Sequence, residues 1–228
     1  MRILIIYHLR LGDILRCLPI AEHFHNLGNE VVFECNEEYH NLFEMVDYCL
    51  PCSPNVDRNL FDRVLNLQIW PNKYNDFRTS GKNWADYIWG LIEEGKEIPR
   101  QIHLNTPAIC VPSIIQDSVL CFPLGYSQNI RYDTSKIIQL AHIIANGNPV
   151  ICVGKKDLGM REFDSIETLC AYIKKAKQVV TINSAPTVIC SALRNSWFHI
   201  PDSEQDDFFH VNQKRLEQFD LTTKCGAT

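Results

Sequence analysis

Residues 3–20 read ILIIYHLRLGDILRCLPI, and this stretch decides the fold. An unbroken apolar run, Ile3-Leu4-Ile5-Ile6-Tyr7, has the length of a strand buried on both faces. It passes through Gly12-Asp13 into a helical pattern over about 13–26, with Ile14, Leu18 and Ala21 on one face and Gly28 placed as the C-terminal cap. Pro19 is expected to kink or restart that helix. A strand turning into a helix is the first unit of an α/β sheet, and ligands in such sheets bind beyond the carboxyl ends of the strands. The turn carries one glycine and a carboxylate, so it is not the three-glycine loop of a dinucleotide site. An NAD-dependent oxidoreductase is excluded on that ground, since no strand is followed by GxGxxG.

The rhythm continues outward. Val31–Cys35 reads as a strand, 37–46 as a helix, 63–69 as a strand and 83–94 as a helix. A Pro-punctuated stretch, Pro99 to Pro112, interrupts it. A second series then follows: strand 119–123, helix 134–145, strand 150–153 ending at Gly154, helix 165–177, strand 178–182, helix 187–194 and strand 196–200. Strands alternating with helices predict parallel sheets. The expected architecture is α/β, two Rossmann-like domains facing a cleft. The boundaries read are 1–115 and 116–200, with a tail over 201–228 whose Phe208, Leu216 and Phe219 suggest an amphipathic helix.

Composition narrows the function. With 46% hydrophobic and 21% charged residues the 228-residue chain is a folded one, and its longest apolar runs are too short to span a membrane. A cytoplasmic location is the expectation. The formal charge of −5 sits in the first 115 residues, where 10 Lys and Arg face 15 Asp and Glu; this argues against sequence-blind adhesion to nucleic acid. Most of the ten cysteines lie in apolar runs and behave as small hydrophobes. Cys49-Leu-Pro-Cys52 has the spacing of a redox motif or half a zinc site, but no second pair accompanies it. The pair reads as two reduced thiols, and no cluster has metal-ligand spacing.

Several blocks together resemble one family. These are MRILIIYHLRLGDILRCLPI (1–20), FDRVLNLQ (61–68), PLGYSQNIRYDTSKIIQLAHII (123–144), PVICVGKK (149–156) and VVTINSAPTVICSAL (179–193). Their order and spacing are similar to those of the ADP-heptose–lipopolysaccharide heptosyltransferases, glycosyltransferase family 9, of the GT-B type. The chain departs from them where Asn183, Ser184 and Ala185 replace Asp, Thr or Ser, and Gly, where Val188 replaces His, and where Lys155 replaces the second glycine of a pair. It is also shorter than typical members.

The resemblance implies an inverting glycosyltransferase, metal-independent and without a cofactor beyond its nucleotide-diphosphate sugar. Asp13 is then the general base that takes the proton from an acceptor hydroxyl. Residue by residue it could instead cap the helix that follows. The donor side is expected at Gly125, Ser127, Arg131, Gly154, Lys155, Asn183, Ser184 and Ala185: small residues and cations suited to phosphate at strand ends and a helix N-terminus. An ordinary capped turn with Pro186 in the first helical turn is the plain alternative for 183–186. The acceptor side comprises Gly12, Arg10, Arg16 and His8, the arginines placed to bind an anionic acceptor or to tune Asp13. Trp70, Trp84 and Trp89 fall in the same half, either as an aromatic platform or as packing. A saccharide acceptor is implied; a hydroxylated DNA base, as in virus-type DNA glycosyltransferases, and a catalytically inactive nucleotide-sugar binder are the alternatives.

Overall fold

A computed structural model describes residues 1–92, 101–125, 133–200 and 213–215. The chain divides between Thr106 and Pro107 into two units. Residues just before that point are tied to the first unit: Asn105 N–H donates to the Met45 carbonyl (2.7 Å) and Tyr48 Oη to the His103 carbonyl (3.1 Å).

The first unit holds β1 (Arg2–Ile6), α1 (Leu11–Asn26), β2 (Glu30–Glu34), β3 (Leu50–Cys52), β4 (Arg63–Asn66), α2 (Tyr74–Thr79) and α3 (Trp84–Ile92). Its four strands are all parallel in the order β3-β2-β1-β4. β1 is interior, which is why Ile3, Leu4, Ile5 and Ile6 are all buried; each contributes about 1.5–3 kcal/mol of transfer free energy. At the edge β4, Val64 faces solvent while Leu65 is buried.

The second unit holds α4 (Ser113–Gln116), β5 (Val119–Phe122), α5 (Thr134–Ala145), β6 (Val150–Cys152), α6 (Ile166–Lys175), β7 (Gln178–Ile182), α7 (Ala185–Leu193), β8 (Trp197–Ile200) and β9 (Gln213–Arg215). Its order is β6-β5-β7-β8-β9, again all parallel. Val119, Cys121, Val180 and Ile182 pack against Ile137, Leu140 and Ala141 of α5. The helix ends follow side-chain chemistry. Asp133 accepts from the N–H groups of Ser135 (2.9 Å) and Lys136 (3.3 Å), and Ser165 accepts from Thr168 N–H (3.1 Å). Asn146, at φ 46°, closes α5 in the left-handed conformation that asparagine tolerates. Arg194 closes α6 by donating to the carbonyls of Ile173 (2.7 Å) and Ala176 (2.8 Å).

The α/β class and the two parallel sheets agree with the sequence. Several details differ. α1 runs unbroken through Pro19, which is buried, so the helix is not restarted there. Residues Glu37–Met45 form a 3₁₀ segment instead of an α-helix. The third expected strand ends at Asn66, although Leu67 N–H still donates to the Ile6 carbonyl (3.1 Å), and α7 starts two residues early, at Ala185. Two strands were not anticipated. β3 contains Pro51, which argues against a strand unless it lies at an edge, and β3 is an edge. β9 lies in the expected tail; Phe208, Leu216 and Phe219 fall outside the described residues. Cys49 and Cys52 are both free.

Candidate functional site

At the β1–α1 turn, Arg10 is the residue that starts the helix, its carbonyl accepting from the N–H groups of Asp13 and Ile14 at 3.0 Å each. Asp13 sits in the first turn, one residue after Gly12, and its carboxylate caps no helix N–H. It turns instead to the phenol of Tyr7, which donates to Oδ2 at 3.1 Å, and to Arg16, whose Nη1 is 3.9 Å from Oδ1. The capping alternative is thereby overturned. The Asp13 side chain keeps 24% of its surface exposed. Burial pushes the carboxyl pKa up; Arg16, the Tyr7 hydrogen bond and Arg10 pull against it. Burial, then the Asp13 charge, pushes the Tyr7 phenol up, so Tyr7 stays a proton donor. Trp84 backs the group, its ring 6.1 Å from that of Tyr7 and 5.9 Å from the Arg16 guanidinium. Trp84 and Trp89 are core residues; Trp70 is exposed.

His8 faces the other way, onto β2. Its Nε2 is 2.6 Å from Oε1 of Glu34, a fully buried carboxylate that also accepts from Arg58 Nη2 at 3.2 Å. Glu34 Oε2 has no partner among the described residues. The structure thus splits the acceptor-side residues into two adjacent groups, Asp13 with Arg16 and His8 with Glu34. Tyr7, Glu34 and Arg58 were missed in the sequence. Tyr7 and Glu34 read there as strand residues, and Arg58 lies in an irregular segment with no motif.

In the second unit the loops after β6, β5 and β7 leave the carboxyl ends of three neighbouring strands. Gly125 and Gly154 line one small recess with Leu124 and Lys155. A Cβ at Gly154 would stand 2.8 Å from Met160 Sδ and 3.2 Å from Leu124 Cδ1, so a larger residue there would displace those two side chains. Lys155 is exposed at the start of the 3₁₀ turn Lys156–Leu158. Asn183, Ser184 and Ala185 join β7 to α7, with Pro186 in the first helical turn. Ser184 is the N-cap, yet its hydroxyl donates back to the Ile182 carbonyl (3.1 Å) and caps no N–H. The Ala185 N–H has no acceptor among the described residues, so the turn presents a backbone donor at a positive helix end. Ser127 and Arg131 lie outside the described residues. Among the described residues no group of three His, Cys, Asp or Glu is placed to hold a metal ion, and no helix is long and apolar enough to cross a membrane.

No family model matches the chain, and no curated protein matches it. Solved structures do. A family 9 glycosyl transferase from Veillonella parvula superposes with a TM-score of 0.64 at 13% identity, over 94% of this chain and 85% of that one. The fold is that of the family 9 glycosyltransferases. The iron-containing dodecameric glycosyltransferase TibC of enterotoxigenic E. coli gives a TM-score of 0.69 at 17% identity, covering 93% of this chain but only 62% of TibC. The E. coli heptosyltransferase WaaC, solved with ADP, gives 0.64 at 12% identity over 94% of this chain and 92% of WaaC. The heptosyltransferase resemblance read from the sequence blocks is thus met at the level of the fold.

Proposed function

We propose that this chain is an inverting, GT-B-type glycosyltransferase that moves a sugar from a nucleotide-diphosphate sugar to an acceptor hydroxyl. The observation that carries this reading is Asp13: a partly exposed carboxylate with a raised pKa, in the first turn of the helix that follows the interior strand β1, held by Tyr7 and Arg16 and not used as a cap. The acceptor oxygen attacks the anomeric carbon, the bond to the diphosphate oxygen breaks with its electron pair, and Asp13 takes the acceptor proton. Proton removal by a placed base is worth about 10²–10⁴ in rate. The fold it shares with WaaC and TibC supports the reaction class.

The donor binds the second unit in this reading. Its diphosphate meets the Asn183–Ala185 turn and the recess of Gly125, Gly154 and Lys155, with Ser127 and Arg131 completing the set, and negative charge developing on the leaving group is met by backbone dipoles and cations. The acceptor is a saccharide hydroxyl presented to the first unit, where Arg10 and Arg16 contact it, while His8 is held on Glu34; the comparisons give a DNA base no support. The reading needs no metal and no cofactor beyond the donor.

Purified protein is tested first against ADP, UDP, GDP and CDP, with and without Mg²⁺, by thermal shift. One nucleotide raising the melting temperature without the metal is expected, because a ligand that binds only the folded state stabilises it. Asp13→Asn is expected to keep that shift and lose transfer. Full transfer in this variant removes Asp13 from the mechanism, and no shift with any nucleotide removes the donor site.

A further inference from the structure

Beneath the β7–α7 turn three fully buried residues, Thr181, Thr187 and His199, converge on one hydroxyl. Thr187 Oγ1 lies 2.6 Å from the Ile182 carbonyl oxygen, 2.8 Å from Thr181 Oγ1 and 3.2 Å from His199 Nδ1. A threonine hydroxyl has one proton and two lone pairs. The carbonyl can only accept, so the proton goes to Ile182. Thr181 Oγ1–H and His199 Nδ1–H then donate to Thr187, and its hydroxyl is fully used.

The Ile182 carbonyl accepts a second time, from Ser184 Oγ at 3.1 Å, the longer of the two contacts. Engaged in this second bond, the Ser184 hydroxyl caps no N–H of the helix N-terminus. A buried carbonyl stripped of its partner is costly, but one that retains a donor is not.

We infer that Thr187 is a positioning residue for the diphosphate. It keeps the Ile182 carbonyl satisfied, so that the Ser184 hydroxyl can leave Ile182 and donate to a phosphate oxygen when a nucleotide arrives. The inference rests on the proposed donor site and goes beyond it, because Thr187 touches no ligand. Thr181 and His199 hold the Thr187 rotamer that makes the exchange possible. Without the Thr187 hydroxyl, Ser184 would be the remaining side-chain donor on Ile182 and would stay there.

The test is a double-mutant cycle on the full chain, read as affinity for the nucleoside diphosphate (ADP, UDP, GDP or CDP) that gives the largest thermal shift, by calorimetry. Ser184→Ala is expected to weaken binding about tenfold in the wild-type background, as befits a hydrogen bond to an anion, and by less than about twofold in the Thr187→Val background. Thr187→Ser is expected to restore the wild-type dependence on Ser184, which a merely structural role for the side chain's volume would not do. Equal losses in both backgrounds, or no loss from Ser184→Ala in the wild type, overturn the inference and leave the donor site standing. A wild-type chain that binds none of the four nucleotides overturns the proposed function, and this inference with it. Should Thr187→Val fail to fold, Thr187→Ala, which likewise has no side-chain donor, carries the same comparison.

Discussion

Tyr7 donates a 3.1 Å hydrogen bond to Asp13, six residues on and across the turn from β1 to α1. The phenol favours the ionised carboxylate, against the burial that disfavours it. Tyr7→Phe removes the donor and keeps the ring, so the Asp13 pKa is expected to rise further. The acidic limb of the kcat/KM profile should move to higher pH, and stability should fall by about 1 kcal/mol. An unmoved limb would show that Tyr7 does not tune Asp13.

Asp13 itself is expected to cost stability at neutral pH. Its folded pKa lies above the unfolded one, so its favourable contribution is complete below the unfolded value, about 3.9, and is lost as pH rises through the folded value. Asp13→Asn removes the charge and should melt higher than wild type at pH 7, with the gain fading toward pH 3. A variant less stable than wild type at pH 7 would mean that Arg16 and Tyr7 outweigh burial.

Glu34, His8 and Arg58 test the burial of charge. His8→Ala takes the shorter contact away from a fully buried carboxylate and is expected to cost about 2–3 kcal/mol in urea unfolding. Glu34→Leu removes the buried charge and leaves two partners that already reach solvent, so it should lie within about 1 kcal/mol of wild type. The reverse order would show that the carboxylate is better satisfied than its contacts indicate.

Ala185 separates binding from folding. An aspartate there sits in the first turn of α7, where the helix dipole favours a negative side chain, so Ala185→Asp should leave the melting temperature unchanged or slightly raised. The same charge repels a diphosphate at that turn, and nucleotide affinity is expected to fall at least tenfold by calorimetry. Unchanged affinity would place the anion elsewhere.

The elements of this fold were legible because their signals are local. Continuous apolar runs at 3–7 and 119–122 are strands buried on both faces, and Asp133, Ser165 and Asn146 mark helix ends by their own hydrogen bonds and backbone angles. The misreadings were also local in cause. Pro19 suggested a break that packing of α1 overrode, and Pro51 hid an edge strand.

By itself the sequence determined that parallel strand–helix units repeat twice, and that Gly12-Asp13, Gly125, Gly154 and Asn183–Ala185 stand at strand ends. Periodicity and turn chemistry act over a few residues, and those positions need nothing more. Only the tertiary structure decided what each group touches. It placed His8 on Glu34, 26 residues away, and Arg58 on the same carboxylate from 24 residues away. It also set Thr187 against His199, 12 residues on, because β7 and β8 pair with Thr181 opposite His199. Such contacts depend on strand order and register, which are fixed by burial of whole sheet faces and not by any short stretch of chain.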